Sequence, residues 1–135
     1  MSLLTKEELT MTYTLGSRSK ESLSGVHPDL VDVVTKAIQI TDQDFSVIEG
    51  RRSYARQEEL VSKGASTTMN SRHLTGHAVD IVPYPVDWED IDRFKVVAEA
   101  MKDAAQHLQI PIRWGGDWKT FIDYPHYELD RKYYP

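Results

Sequence analysis

The chain has 135 residues, 40% hydrophobic and 27% charged, the make-up of one soluble domain able to bury roughly 68% of its unfolded surface. It has no cysteine, which excludes disulfide scaffolds, thiolate metal sites, iron–sulfur clusters and cysteine nucleophiles; any metal must be held by His, Asp or Glu. With 16 basic against 21 acidic residues the net charge is −5, which argues against a nucleic-acid-binding module, and no apolar run approaches the roughly 18 residues of a membrane span.

At the amino terminus, Glu7 and Glu8 stand where a signal peptide would carry its apolar stretch, so synthesis in the cytoplasm without a Sec-type signal is expected. Residues 16–26, polar and bracketed by glycines, read as a linker. A helix follows, with Pro28 at its first position, His27 as cap or turn residue, and Leu30, Val31, Val34, Ala37 and Ile38 at helical spacing. Residues 44–48 alternate as a strand ended by Gly50, and 53–63 read as a second helix stopped by Gly64. The stretch 64–76 reads as loop, and 78–82 as a buried strand closed by Pro83 and Pro85. Asp87 is the expected cap of the longest helix, about 88–108, with Ile91, Phe94, Val97, Ala98, Met101, Ala105 and Leu108 as its apolar stripe. Two short strands, 110–114 and 125–129, flank the loop Gly115–Trp118. Because the last strands follow one another without a helix, the expected class is α+β with a small, largely antiparallel sheet and flanking helices.

The chemistry concentrates in Ser71-Arg-His73-Leu-Thr-Gly76-His77-Ala-Val-Asp80. Asp80 lies between Val79 and Ile81, and a buried carboxylate must be paired, hydrogen-bonded or coordinating a cation. One reading is a salt bridge to a nearby arginine. The other is a metal site, because His73 precedes Asp80 across a glycine turn and His126 lies in a later apolar strand; two His and one Asp fit a catalytic zinc with an open position. His77 is four residues after His73, but the Leu-Thr-Gly between them lacks the helical glutamate of an H-E-x-x-H site, so His77 reads as a pocket-wall residue. His107, near a helix C-terminus, suits the dipole and is given no site role. A general base is also required. Asp123, three residues before His126, ranks first; Glu128, on the strand face of His126, ranks second; Asp117, in a turn, ranks third. Of the two arginines at the first strand's exit, Arg52 is preferred over Arg51 as the positive group that steadies an oxyanion or a substrate carboxylate.

These residues resemble the zinc peptidases that comprise D-alanyl-D-alanine carboxypeptidases, D-Ala-D-Ala dipeptidases and the L-alanyl-D-glutamate endopeptidases of phage endolysins. The family pattern Ser-x-His-x-x-Gly-x-Ala-x-Asp is met by Ser71, His73, Gly76, Ala78 and Asp80. The resemblance implies one zinc ion held by His73, Asp80 and His126, with Asp123 as catalytic acid and base. Its arginine-and-glutamine motif matches Arg52 and Gln57, which with Ser71 are implied to bind substrate, and Trp114–Trp118 resembles a turn of the endolysin branch. Most carboxypeptidases and dipeptidases of the family place Glu where Asp123 stands, so the resemblance points to an endolysin cutting the L-Ala–D-Glu bond of the peptidoglycan stem, with a D,D-carboxypeptidase as alternative. It further implies the fold shared by these peptidases and hedgehog-type domains, a single peptidase domain over 1–135 with its core at about 28–130 and no separate wall-binding domain, and holin-type release toward the wall; the sequence leaves the oligomeric state open, with a monomer favoured. The competing classes are a non-catalytic hedgehog-type zinc module and a metal-free structural protein.

Overall fold

The computed structural model describes residues 12–135; the stretch holding Glu7 and Glu8, on which the signal-peptide expectation rests, lies outside them. Among the described residues, no helix is long and apolar enough to cross a membrane.

The expected linker folds instead. Helix α1 (Ser17–Ser22) packs beside strand β1 (Phe45–Glu49), and buried Ser19 accepts a hydrogen bond from Val47 N through its Oγ at 3.0 Å. β1 is an edge strand, so its outward amides lack a neighbouring strand, and Ser19 satisfies one of them. Helix α2 (Pro28–Ile40) starts as expected: His27 caps it, with Nδ1 accepting from Asp29 N at 3.1 Å. Helix α3 (Tyr54–Ser62) is capped by Ser53, whose side chain accepts from Arg56 N.

The longest helix, α4 (Ile91–Leu108), begins later than expected. Asp87 Oδ1 accepts from Glu89 N at 3.0 Å, so this aspartate closes a local turn and Asp90 takes the cap position. The expected stripe is otherwise kept: Phe94, Val97, Ala98, Met101 and Ala105 are buried, with Leu108 at the exposed end.

Strands β1, β2 (Ala78–Pro83), β3 (Ile112–Trp114) and β4 (His126–Leu129) form one antiparallel sheet in the order β1-β2-β4-β3. The class is α+β. Helices α2 and α4 contact each other and share a core cluster with Val47, Val79, Ile81, Tyr127 and Leu129 from the strands. Each large side chain so buried contributes about 1.5–3 kcal/mol. Because side chains alternate across a strand, Asp80, His126 and Glu128 face the other side of the sheet. The apolar core thus lies on one face and the polar cluster on its back.

Candidate active site

Asp80 and His126 are directly opposite each other in the β2–β4 ladder. His73 joins them from the 3-10 turn Arg72–Thr75, which Ser71 caps by accepting from His73 N at 3.2 Å. Gly76 ends the turn at φ +75, a left-handed conformation that favours glycine, and a Cβ there would meet the Gly25 carbonyl. The chain can then enter β2 with His73 folded back over Asp80. His73 Nε2 lies 3.2 Å and His126 Nδ1 lies 3.5 Å from Asp80 Oδ1.

The outer nitrogens decide what the inner ones offer. His73 Nδ1 is 2.8 Å from Gly50 O, and a carbonyl only accepts, so Nδ1 carries the proton and Nε2 presents a lone pair. His126 Nε2 is 2.8 Å from Glu128 Oε1 and donates to it, leaving Nδ1 as the inward lone pair. Both face Asp80 Oδ1, a buried oxygen without a hydrogen-bond partner. Three acceptors converging in a desolvated place repel one another unless a cation sits among them. Two imidazoles and a carboxylate, each imidazole oriented by an outer acceptor, fit a metal ion with N and O ligands. In the metal-free chain a second proton on His126 relieves the conflict. Burial alone would lower its pKa, but hydrogen bonds and charge from Asp80 and Glu128 raise it to about 9. Burial likewise opposes ionisation of Asp80, yet the two histidines hold its pKa well below the usual carboxylate range.

Arg52 reaches the same cluster from the exit of β1. Its Nε donates to Glu49 Oε1 at 2.7 Å, Nη1 donates to Gln57 Oε1 at 2.7 Å, and Nη2 lies 3.7 Å from Asp80 Oδ2. Asp80 thus turns one oxygen toward Arg52 and the other toward the two histidines. Arg51 lies instead over Gly25, outside this cleft. Ser71 lines the cleft, with Oγ 3.5 Å from Arg52 Nη1.

Gln57 corrects an expectation. It is fully buried, its Oε1 accepting from Arg52 and its Nε2 donating to Ser66 Oγ at 2.8 Å and Thr68 O at 2.5 Å. With no exposed surface and no place in the cleft lining, Gln57 instead holds Arg52 and the loop beyond α3.

Asp123 lines the cleft with Asp80 and His126. Its amide donates to Gly115 O at 3.0 Å, and its carbonyl accepts from His126 N at 3.2 Å. Gly115 allows this approach, since a Cβ there would strike the Asp123 backbone. Burial raises the Asp123 pKa, and the Asp80 charge adds to the rise. Glu128 is differently engaged. It is buried, bonded to His126, and lies 3.8 Å from Arg72 Nε and 3.6 Å from Arg131 Nε. Burial would raise its pKa, but His126 and then the arginines hold it below the ordinary value. A carboxylate so occupied orients His126 rather than accepting a proton from water. Asp117 turns away to Lys102 Nζ at 2.6 Å. His77, with Nδ1 2.6 Å from Thr75 Oγ1 and its ring beside His27, lies outside the trio and the cleft, and His107 is exposed on α4. Sequence reasoning missed Arg72, Arg131 and Trp118, whose ring centroid is 5.1 Å from that of His126. The one available signal was Glu128's shared face with His126, read there as competition for the base.

The family profile described as phage L-alanyl-D-glutamate peptidase matches residues 11–135. The chain belongs to this family. It is 33% identical over 130 residues to the L-alanyl-D-glutamate peptidase of Escherichia phage T5, covering 92% of this chain and 94% of that one. It is 29% identical over 124 residues to the peptidoglycan L-alanyl-D-glutamate endopeptidase CwlK of Bacillus subtilis, covering 78% and 74%. The crystal structure of the L-Ala D-Glu endopeptidase ChiX of Serratia marcescens superposes with a TM-score of 0.84 at 48% identity, covering 90% of this chain and 94% of that one.

Proposed function

We propose that this peptidase is a zinc endopeptidase that cuts the L-Ala–D-Glu bond of the peptidoglycan stem. The observation that carries the reading is the convergence of His73 Nε2, His126 Nδ1 and the unpartnered Asp80 Oδ1, beside Asp123 and Arg52 in one cleft. The bond and the polymer are supported by family membership and by the activities that the similar phage, Bacillus and Serratia proteins are named for. Its place of action is the cell wall, reached by holin-type release from the cytoplasm.

His73, Asp80 and His126 would hold a zinc ion, which when bound would supply Lewis acidity for the scissile carbonyl and for the attacking water. Asp123, with its raised pKa, takes the proton from that water on its carboxylate and returns it to the amine nitrogen of the leaving D-Glu. Arg52, fixed by Glu49 and Gln57, turns Nη2 toward the cleft and stabilises the oxyanion that develops on the scissile carbonyl. Ser71 borders the same space and meets the substrate backbone.

Mass spectrometry of purified peptidoglycan after digestion tests this directly. Fragments with new amino-terminal D-Glu, absent after chelation and restored by zinc, are expected. Release of free D-alanine instead would replace the reading with a D,D-carboxypeptidase, and no cleavage by the zinc-replete protein would leave a non-catalytic zinc module.

A further inference from the structure

The cleft, about 630 Å³, holds the polar cluster and carries its aromatic and most exposed apolar side chains on one loop. That loop runs from Trp118 to Asp123. Trp118 N and Asp123 N both donate to the single carbonyl of Gly115, at 3.3 and 3.0 Å, so the loop is pinched at its base. At its tip Phe121 is 80% exposed and Ile122 52% exposed, although both line the cleft. Phe121 also sits at φ +52, a left-handed conformation that a bulky residue rarely adopts. Such backbone persists where the surroundings enforce it, and it clusters at ligand contacts. The loop thus presents an aromatic ring to solvent beside the proposed metal ligands, with Trp118 against His126 at its foot.

The proposed scissile bond makes a particular demand on this loop. In the stem, the L-Ala amine is joined by an amide to the lactyl group of an amino sugar. One residue, at most about 3.6 Å of extended chain, separates the cut from that group. The sugar therefore cannot lie far from the cleft; it must rest against its edge. A pyranose presents a face of C–H bonds, which matches the flat face of an aromatic side chain; the lining stretch from Leu60 to Asn70 is aliphatic and hydroxylic and offers no aromatic ring.

We propose that Phe121 and Ile122, on the loop that starts at Trp118, form a saccharide subsite that seats the amino-sugar ring bearing the stem peptide. This rests on the endopeptidase reading above. The subsite makes glycan-linked stems better substrates than free stems, and it gives the enzyme an apolar hold on a wall that its net charge of −5 does not attract.

The test compares two probes with the same scissile bond, N-acetyl-L-Ala-D-Glu-diaminopimelate and the same peptide carried on N-acetylmuramic acid. The wild-type protein is expected to show a higher kcat/KM for the muramoyl probe. Phe121→Gly, which keeps the left-handed backbone without steric cost, should lower the muramoyl-to-acetyl ratio of kcat/KM by about fivefold to tenfold, mostly in KM. Phe121→Tyr should restore it. A wild-type ratio near one, or a Phe121→Gly protein whose ratio is unchanged because both probes suffer equally, overturns the subsite. Wild-type protein that cuts neither probe between L-Ala and D-Glu overturns the endopeptidase reading itself.

Discussion

Glu128→Gln separates the charge behind His126 from the shape that carries it. Glutamine keeps an oxygen within reach of His126 Nε2 but no longer supports the imidazole with a full negative charge. The wild-type contact is 2.8 Å and both partners are buried, so solvent screens it little. Losing an outer carboxylate of this kind costs about 10- to 100-fold in metal affinity, or about 1.4–2.7 kcal/mol. Here the lower half of that range is expected, because Arg72 and Arg131 already share the Glu128 charge. The fold should survive, since Arg72 Nη2 still donates to Leu129 O at 3.1 Å and Tyr134 O at 2.6 Å after the exchange.

Zinc affinity measured by competition with a chromophoric chelator, alongside thermal unfolding of the metal-free forms, reads the two effects apart. The expected result is zinc binding weakened about 10- to 30-fold with a cooperative metal-free transition intact. If Glu128→Gln binds zinc within twofold of wild type, Glu128 does not support the metal through His126, and the assignment of its proton acceptor must be redrawn.

Asp123→Asn should retain zinc and fold while losing about 10²- to 10⁴-fold in kcat on peptidoglycan; near-wild-type lysis sinks its role as base. Loss of the ionisable carboxyl should also remove the acid limb of the kcat/KM profile; a limb that persists in Asp123→Asn belongs to another group. Gln57→Leu strands the Arg52 hydrogen bond and frees the loop at Thr68; a loss of about 2–3 kcal/mol in unfolding free energy and a fall in kcat with zinc content unchanged are expected. Tyr134 donates to Asp29 Oδ2 at 2.6 Å, and this bond, then burial, raises its pKa. The raised value means its contribution is full below about pH 10 and lost as pH climbs through the folded pKa. Tyr134→Phe should therefore cost about 0.5 kcal/mol near neutrality, and the Tm gap to wild type should close at alkaline pH.

The elements legible in the sequence are those whose signal is local. The stripe of Phe94, Val97, Ala98 and Met101 specifies α4, Pro28 and His27 mark the start of α2, and Asp80 between two apolar neighbours announces a polar face on a core strand. What stayed hidden depends on partners far along the chain. Ser19 looks like linker serine until the edge of β1 is placed beside it, 28 residues away. Gln57 looks like a substrate contact until Arg52, Ser66 and Thr68 consume its side chain. Glu128 and Asp123 are both carboxylates near His126; only their neighbours show that His126, then the arginines, lower the pKa of one while burial raises that of the other. Residue type and spacing specify which chemistry is available, but the assignment of roles needs the hydrogen-bond partners.

An aspartate in the ligand set has a chemical cost that the surrounding residues offset. Its negative charge would make a bound cation a weaker Lewis acid than three neutral imidazoles would, and in the proposed mechanism that places more of the work on Asp123. Asp80 is not an isolated carboxylate, however. Its Oδ2 lies 3.7 Å from Arg52 Nη2 while Oδ1 faces the two histidines, so the guanidinium draws on the same charge that the metal would otherwise receive in full. In the proposed mechanism Arg52 would then act twice, on the developing oxyanion and on the electron density available at Oδ1. Glu49 works in the opposite sense, since its salt bridge at 2.7 Å neutralises part of the arginine. The balance depends on geometry, and Gln57 fixes that geometry by holding Nη1 from a fully buried position. A neutral amide suits this role: it positions the guanidinium without reducing its charge, whereas a carboxylate there would further weaken Arg52's hold on both Asp80 and substrate.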